Sequence, residues 1–188
     1  MGLTDPTGPI ELATPRLRIR EWRRGDWSGF QALNTDPRIM AWQIEEPLSP
    51  QAARLRFERC LEDALRRPRT GWDLAVALHR PGHPAHGEAI GFVHLWLRPL
   101  CTPTAALGYS LLPEHWGAGL ATEAADAVVT AALTEWGLRR LIAGCFADNL
   151  ASRRVLDKLG FRLTRTQPDR FRKGGRLRHD CRYVLDGM

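Results

Sequence analysis

The sequence contains few cysteines, and they are not grouped. No Cys-x-x-Cys pair occurs, and the four residues are far apart: Cys60, Cys101, Cys145 and Cys181. This spacing predicts reduced thiols in a cytoplasmic protein. None of the four has a recognisable activating motif, so we do not expect a catalytic cysteine.

Long apolar runs and the common nucleotide-binding motifs are also missing. No stretch reaches the roughly 18 apolar residues that a membrane span needs, and the first nine residues lack the apolar segment of a signal peptide. We therefore predict no membrane partner. A Gly-x-Gly-x-x-Gly fingerprint at the start of a βαβ unit and a Gly-Lys-Ser/Thr P-loop are both absent, which excludes those two modes of phosphate binding.

Lysine is scarce although the chain is basic. The net charge is +6 with 27 basic residues, of which only Lys158 and Lys173 are lysines. This balance favours a polyanionic ligand such as a nucleotide-bearing cofactor, or a location near nucleic acid; a compositional bias toward arginine explains it equally well. The densest basic segment, residues 162–182, lacks the interleaved aromatic residues of a nucleic-acid stacking platform.

The 188 residues predict a single domain, residues 12–188, preceded by a loose lead-in over residues 1–11. Apolar patterning predicts strands at 16–21, 72–78, 89–97, 105–112, 139–146, 161–166 and 177–185. Capping residues and helical spacing predict four helices: one that Asp26 caps, one that begins at Ser49-Pro50, and two over residues 119–136 and 150–159. This order predicts an α/β (α+β) fold with a mixed sheet.

Residues 107–122 contain a strand, a glycine turn and the start of a helix in direct succession. The apolar run ends at Pro113, Gly117 and Gly119 follow, and an alanine-rich amphipathic stretch begins at once. Such a junction directs backbone N–H groups and the positive end of a helix dipole at one point, where a phosphate binds well. An ordinary strand-to-helix connection is the alternative on spacing alone.

The segment Trp116-Gly-Ala-Gly-Leu-Ala-Thr-Glu-Ala124 resembles the acyl-CoA pyrophosphate loop of the GNAT superfamily of N-acetyltransferases. The superfamily pattern has Gln or Arg where Trp116 stands, and this departure is typical of the Rim-type branch, which resembles the ribosomal-protein alanine N-acetyltransferases. Further matches, in the same order as in that branch, are Asn149-Leu-Ala-Ser152 with Leu156-Asp-Lys-Leu-Gly-Phe161, Thr14-Pro-Arg-Leu-Arg-Ile-Arg20, and Asp36-Pro-Arg-Ile-Met-Ala-Trp42.

The resemblance implies a GNAT-like domain with a mixed, mostly antiparallel seven-stranded sheet, splayed parallel central strands and about four helices. Acetyl-CoA would lie where strand 105–112 separates from strand 139–146. The N–H of Leu111 or Leu112 would polarise the thioester carbonyl. The implied cofactor-binding residues are Ser110, Leu111, Leu112, Trp116, Gly117, Ala118, Gly119, Leu120, Ala121, Thr122, Asn149 and Ser152.

Catalytic roles follow from the same resemblance. Ser152 would protonate the leaving thiolate, because Leu156 occupies the position of the tyrosine that many members use. A serine within a helix otherwise bonds a carbonyl of the preceding turn. Asn149 is favoured as a helix cap, and the hydrogen bond to the pantetheine arm that the resemblance implies can coexist with that role. The candidate bases are chosen by position instead: Glu114 or His115, between the strand and the glycine loop, would take the amine proton, with His94 and Asp148 as further candidates. A charged residue at such a position is otherwise a solvated rim residue.

The histidines of the 79–87 loop, namely His79, His83 and His86, lack added cysteines, and we predict no metal site.

The sequence thus predicts an enzyme that moves acetyl from acetyl-CoA to a primary amine by direct attack. A protein N-terminus is the favoured acceptor, and nucleic acid is not expected except through a ribosomal substrate. A small amine such as an antibiotic or polyamine is the enzymatic alternative, for which the first seventy residues offer Asp36, Glu45, Glu46, Glu62 and Asp63. A non-catalytic acyl-CoA-binding or RNA-binding protein is a third reading, and we expect a monomer or homodimer.

Overall fold

A computed structural model describes residues 8–98 and 103–187. They form one sheet in the order β1-β2-β3-β4-β5-β6-β8-β7, in which every described strand pair is antiparallel except β5 with β6. The strands are β1 (Glu11–Ala13), β2 (Leu17–Glu21), β3 (Gly71–Leu78), β4 (Ala89–Arg98), β5 (Thr104–Leu111), β6 (Arg140–Phe146), β7 (Arg162–Lys173) and β8 (Arg176–Asp186). The helices are α1 (Trp27–Thr35), α2 (Pro37–Met40), α3 (Pro50–Asp63), α4 (Leu120–Thr134) and α5 (Leu150–Lys158).

The predicted fold class is confirmed, with two corrections of count. The sheet has eight described strands instead of seven, because Glu11–Ala13 pairs with β2 along the edge. There are five described α-helices instead of four, because Asp36 caps a single turn, α2, by accepting a hydrogen bond from Arg38 N–H. Residues 1–7 of the predicted lead-in lie outside the described residues, while Ile10 is buried in the core.

Helices cover both faces of the sheet. Alternation along β3 sends Leu74 and Val76 into one apolar cluster and Ala75 into the other. The larger cluster includes Val128 and further buried residues of α4, together with Leu156 of α5. The smaller one holds residues of α1 and α3 against β3 and β4. The two clusters therefore define an α4–α5 face and an α1–α3 face.

The central parallel pair separates part of the way along its length. β5 and β6 are in register from Thr104 opposite Arg140 to Leu107 opposite Ala143, and no pair follows among the described residues. Each strand continues on its other side, β5 with β4 and β6 with β8. The predicted splay is thus confirmed, and it opens the sheet beside residues 108–111.

One predicted helix cap has a different role. Asp26 stands at the N-cap position of α1, but its side chain makes no capping hydrogen bond. Its carboxylate instead accepts two hydrogen bonds from Arg20, at 2.7 and 2.9 Å, and one from Arg23 N–H. A buried ion pair with β2 has replaced the helix cap.

Among the described residues, no helix combines the length and apolar character that crossing a membrane requires.

Candidate active site

The turn between β5 and α4 has the backbone geometry of an anion site. Gly117 and Gly119 have φ of 74° and 77°, in the left-handed region that favours glycine. Gly119 is the N-cap of α4 and supplies no side chain to cap it. No described residue accepts a hydrogen bond from the N–H groups of residues 117–122. Six consecutive donors therefore remain available where the helix dipole is positive, which fits a pyrophosphate.

The Glu123 carboxylate and the Arg16 guanidinium stabilise this turn. Glu123, in the first turn of α4, accepts hydrogen bonds from the Thr14 hydroxyl at 2.6 Å, from Arg16 N–H at 2.9 Å and from Arg16 Nε at 2.6 Å. The same guanidinium donates to the Ala118 carbonyl at 2.9 Å. Arg16 thus joins β2 to the loop and balances the negative charge that Glu123 places near the helix N-terminus.

Glu123 ionises readily in this setting. Burial opposes its ionisation, but hydrogen bonds from Thr14 and Arg16 outweigh that effect and hold the pKa of Glu123 below its usual value. The carboxylate is therefore charged at neutral pH and keeps Arg16 against the loop.

Trp116, at the position of the superfamily Gln or Arg, turns back onto β5. Its indole Nε1 donates to the Leu111 carbonyl at 2.7 Å while the ring stays partly exposed. The side chain thereby fixes the loop against the end of the strand. The six N–H donors are backbone groups, so replacing Gln or Arg with tryptophan leaves them in place.

The main chain of β5 alternates between its two neighbours. Leu112 N–H donates to the Ile90 carbonyl at 2.8 Å, so Leu112 and, two residues earlier, Ser110 direct their main-chain groups at β4. Tyr109 and Leu111 consequently direct theirs into the opening. Of the two alternative carbonyl-polarising groups, the N–H of Leu111 has the required direction, whereas the Leu112 N–H and the main chain of Ser110 belong to the β4 pairing. Contact of Ser110 and Leu112 with the cofactor stays a prediction.

Helix α5 begins beside the opening. Asn149 Oδ1 accepts a hydrogen bond from Ser152 N–H at 3.0 Å, so the expected cap is present, and no described acceptor binds the amide nitrogen of Asn149. Ser152 does not bond a carbonyl of the preceding turn. Its hydroxyl lies 2.9 Å from the Tyr109 hydroxyl, which also donates to the Ser152 carbonyl at 3.1 Å.

The sequence interpretation missed Tyr109. It considered only the main chain of that strand, although alternation places the Tyr109 side chain on the α4–α5 face, where Ser152 lies. Helix α5 has no tyrosine at the position that many family members use, but Tyr109 of β5 brings a phenol to Ser152 on the same helix. Burial raises the pKa of Tyr109 above its usual value, and the hydrogen bond from Ser152 offsets only part of this effect. The phenol is therefore a neutral hydrogen-bond donor rather than a strong acid.

Cys145, on β6, also lies near Ser152. Burial raises the pKa of its thiol to about 12, and a hydrogen bond with Ser152 opposes this only in part. A thiol that stays protonated is a poor nucleophile.

The predicted bases occupy a short 3₁₀ turn, Pro113–His115, just after β5. Glu114 is exposed and His115 half-buried, and the charge of Glu114 raises the pKa of the nearby Arg38 slightly, after the larger effect of Asp36. Asp148 is paired with Arg178 at 2.8 Å.

The carboxylates of the last two strands are also engaged. Asp180 is buried, with Arg182 Nε 2.5 Å from its carboxylate. Asp169 is exposed and lies 3.6 Å from His179. Asp180 therefore serves an ion pair of the β7–β8 hairpin, and Asp169 lies beside a histidine of the same hairpin.

The tip of that hairpin lies against the segment between α2 and α3. Lys173 is buried, donates to the Glu45 carbonyl, and lies 3.1 Å from the Glu46 carboxylate. Next to this contact is a cavity of about 320 Å³, to which Arg176 and Arg178 contribute. Lys173 therefore joins the tip of the hairpin to the segment between α2 and α3.

The loop histidines bind neighbouring groups of the protein. Arg80 N–H donates to His86 Nδ1, Ala85 N–H donates to His83 Nδ1, and His79 Nε2 lies 3.1 Å from the Arg18 guanidinium. Within residues 8–98 and 103–187, no group of three or more potential metal ligands occurs.

Two curated proteins of Bacillus subtilis (strain 168) are similar to this chain. The uncharacterised N-acetyltransferase YnaD is 27% identical over 154 residues, which cover 81% of this chain and 83% of that protein. The uncharacterised N-acetyltransferase YoaA is 46% identical over 57 residues, which span 30% of this chain and 32% of that protein.

Solved structures of low sequence identity share the fold. The ribosomal-protein-S5-alanine acetyltransferase of Vibrio fischeri has a TM-score of 0.79 at 16% identity and covers 95% of this chain and 97% of its own. The spermidine N-acetyltransferase of Vibrio cholerae, in complex with CoA and spermine, has a TM-score of 0.78 at 20% identity, with 92% and 96% covered.

The family comparison covers most of the chain. Residues 16–162 match the acetyltransferase (GNAT) domain, a range that includes the glycine turn, the splay and the start of α5. The resemblance noted from the sequence is therefore confirmed, and the chain belongs to the GNAT acetyltransferase family as an acetyl-CoA-dependent N-acetyltransferase.

Proposed function

We propose that this protein transfers acetyl from acetyl-CoA to the N-terminal amine of a protein by direct attack, without a covalent acyl-enzyme. The observation that carries the proposal is the run of six backbone N–H groups, residues 117–122, beside an opening between two parallel strands. These donors would hold the pyrophosphate. Tyr109 and Leu111 would pair with the pantetheine arm along the opening, as an added strand does.

The reacting group would then lie between β5 and α5. Leu111 N–H, directed into the opening, would hydrogen-bond the thioester carbonyl and stabilise the oxyanion that forms on attack. The free amide nitrogen of Asn149 would reach the pantetheine arm. Backbone donors cost no reorganisation during the reaction, because the sheet fixes them beforehand.

Ser152 and Tyr109 would assist departure of the sulfur. A thiolate is a good leaving group near neutral pH, so a hydrogen bond from a neutral hydroxyl is sufficient assistance. The phenol of Tyr109 orients the Ser152 hydroxyl through their hydrogen bond. Because the raised pKa of Tyr109 makes it a poor acid, solvent supplies the proton. For the proton of the amine, the sequence predicts Glu114 or His115.

Charge pairing at the acceptor side supports a protein N-terminus over a polyamine. The acidic residues that the sequence offered to a cationic acceptor are largely paired with basic residues of the chain. Glu46 lies 3.1 Å from Lys173, Asp36 lies 2.6 Å from Arg38, and Asp63 lies 3.1 Å from Arg66. Arg176 adds positive charge near the same side, whereas Arg178 is paired with Asp148. A polyamine would therefore find little unpaired negative charge among these residues. A protein N-terminus carries a single amine and does not depend on such charge for binding.

The test compares acceptors directly. The protein is incubated with acetyl-CoA and either an alanine-initiated hexapeptide, the same peptide with its terminus already acetylated, or spermidine. Free thiol release and the mass of the product are followed. We expect release with the free peptide, a product heavier by one acetyl group, and no release with the blocked peptide.

Two results would contradict the proposal. Turnover of spermidine at higher kcat/KM than the peptide would assign the protein to small amines. Tight binding of CoA without turnover of any amine would assign it to the non-catalytic alternative.

A further inference from the structure

A histidine on β4 lies over the point where the two parallel strands separate. His94 is opposite Gly108 in the β4–β5 register, and Gly108 is the residue that follows the last β5–β6 pair, Leu107 with Ala143. A Cβ at Gly108 would lie 2.1 Å from His94 Nε2 and 2.7 Å from its Cε1. The imidazole therefore occupies the space that glycine leaves, and its Nε2 overlies the main chain of β5 at the apex of the opening.

Two aromatic rings fix the orientation of this imidazole. Phe92, His94 and Trp96 are at alternate positions of β4, so all three side chains stand on the same face. The His94 ring is stacked 3.9 Å from Trp96 and 5.3 Å from Phe92, with interplanar angles of 16° and 12°. Stacking on both sides leaves the edge of the ring, with its nitrogens, as the part that faces β5.

His94 and the Tyr109–Ser152 pair lie on opposite faces of the sheet. Phe92 packs into the α1–α3 cluster, which places its neighbour His94 on that face, whereas Tyr109 packs on the α4–α5 side. A thioester between β5 and α5 would therefore have its sulfur near Ser152 and its other side open toward His94. An amine that enters from the α1–α3 face attacks from this second side.

The charged groups around His94 come from three elements. They are Asp73 on β3, Arg56 on α3 and Glu45 in the segment after α2, and Cys60 of α3 binds Asp73. Both carboxylate oxygens of Asp73 are engaged, one by Trp22 Nε1 at 3.0 Å and the other by Cys60 Sγ at 3.5 Å.

His94 is neutral in these surroundings. Burial lowers its pKa to about 4; Arg56 adds to that effect, and Asp73 and Glu45 oppose it. No described residue hydrogen-bonds either ring nitrogen, and the residue as a whole is half-buried. A neutral imidazole has a lone pair for the proton at neutral pH, and its low pKa means that it takes the proton only from a strongly acidic group, such as an amine nitrogen already bonded to the carbonyl carbon.

We propose that His94 takes the proton from the amine as it attacks the acetyl group; this inference rests on the acetyl transfer proposed above. The amine nitrogen bonds to the acetyl carbon, and its proton passes to Nε2 of His94. The carbon–sulfur bond then breaks, sulfur leaves with the electron pair, and solvent protonates it beside Ser152. His94 returns its proton to water. The transfer is coupled to attack because a nitrogen already bonded to the carbonyl carbon is far more acidic than the free ammonium.

Position favours His94 over the two bases that the sequence predicts. Glu114 and His115 lie in the turn beyond the end of β5, toward the pyrophosphate loop, and Glu114 is exposed. His94 faces Gly108, three residues before that end. The histidine thus lies beside the start of the opening, opposite the neighbour of Tyr109, and on the face from which the amine would enter.

The test is substitution of His94 with a side chain of similar size that cannot accept the proton. For His94→Gln, we expect kcat for the alanine-initiated hexapeptide to fall about a hundredfold, in the range of general base catalysis, with KM for acetyl-CoA unchanged. The residual rate should rise with pH as hydroxide replaces the imidazole. Free imidazole should accelerate His94→Ala in proportion to its concentration, which a merely structural histidine would not allow.

Two further variants separate chemistry from folding. Gly108→Ala adds only a methyl group, but that group collides with the His94 ring; kcat should fall while the CoA-induced rise in melting temperature remains. His83→Gln, in the β3–β4 loop, should leave the rate unchanged. Full kcat in His94→Gln, or a loss confined to Glu114→Gln or His115→Gln, would overturn the assignment while the acetyl transfer itself would stand. A wild-type protein that acetylates no amine would overturn both.

Discussion

The Tyr109 hydroxyl of β5 lies 2.9 Å from the Ser152 hydroxyl of α5. Strand and helix belong to opposite sides of the sheet opening, so this hydrogen bond spans the place where the thiol of CoA would leave. A second bond, from Tyr109 to the Ser152 carbonyl, fixes the phenol. Ser152 is therefore oriented by a partner that the helix itself does not supply.

This pair predicts a specific kinetic pattern. Ser152→Ala should lower kcat on the order of tenfold, equivalent to about 1.4 kcal/mol, and should change CoA affinity less. Tyr109→Phe should have a similar but smaller effect, and the double variant should be no slower than Ser152→Ala because the two hydroxyls act together. Steady-state kinetics with the hexapeptide measure this. Equal losses of kcat and CoA affinity would mean that Ser152 only shapes the site.

The glycine turn predicts sensitivity to added charge. Gly119→Glu should abolish CoA binding in calorimetry, because it places an anion at the positive end of α4. Gly82→Glu is the matched control, since Gly82 has φ of 82° in the β3–β4 loop and a Cβ added there would meet no described atom within 4 Å. Both substitutions place a glutamate at a glycine with positive φ, so they strain the backbone to a similar extent. Loss of CoA binding is the result expected for Gly119→Glu alone. Micromolar affinity in Gly119→Glu would contradict the assignment of this loop.

Glu123 predicts a pH dependence of stability. Because its pKa is lowered on folding, the carboxylate stabilises the folded state above its unfolded value of 4.5 and loses that effect as the pH falls through the lower folded value. Glu123→Gln should reduce the free energy of unfolding by about 1 kcal/mol at pH 7, after discounting for solvent screening of Arg16. Urea titrations at several pH values should show the difference shrinking below pH 4.5. A pH-independent difference would exclude this role.

The lysine contact at the acceptor side predicts an effect on the second substrate alone. Lys173→Met removes the link between the hairpin and Glu45–Glu46, so KM for the hexapeptide should rise severalfold while KM for acetyl-CoA stays constant. Lys158→Met is the control, because the only other lysine is exposed at the end of α5. An unchanged peptide KM in Lys173→Met would mean that the hairpin does not contribute to acceptor binding.

The Arg20–Asp26 pair predicts a large stability effect. Both side chains are 7% exposed, and Asp26→Asn would leave the Arg20 charge buried without its counterion. We expect a loss of about 3 kcal/mol in the free energy of unfolding. Glu58→Gln, which breaks the exposed pair with Arg54, should cost less than about 0.5 kcal/mol. Similar losses in the two variants would contradict the importance of burial.

Local patterns in the sequence were sufficient to predict the parts of the site made by backbone. Gly117 and Gly119 predicted a tight turn, which the structure has with positive φ at both residues, and the alanine-rich run predicted α4 to within two residues at its end. Asn149 predicted the cap of α5. Each of these features depends on residues that are adjacent in the chain.

Contacts between distant residues could not be predicted in the same way. The Tyr109–Ser152 bond joins residues 43 positions apart, and the Arg16–Glu123 contact spans 107. Nor does composition reveal that Leu112 N–H is used by β4, because that depends on the register between strands. Asp26 stands at a position where the sequence predicts a helix cap, but its carboxylate accepts hydrogen bonds from the buried Arg20 instead.

The incomplete ladder between β5 and β6 links folding to metabolism. Without cofactor, two central strands carry unmatched backbone edges in the middle of the sheet, and water must solvate them. A pantetheine chain bound as proposed would supply that missing neighbour, and cofactor present at a hundred times its dissociation constant would add about 2.7 kcal/mol to the free energy of unfolding. Cells that run short of acetyl-CoA and of free CoA would hold this protein in a looser form, one more open to proteolysis than its loaded counterpart.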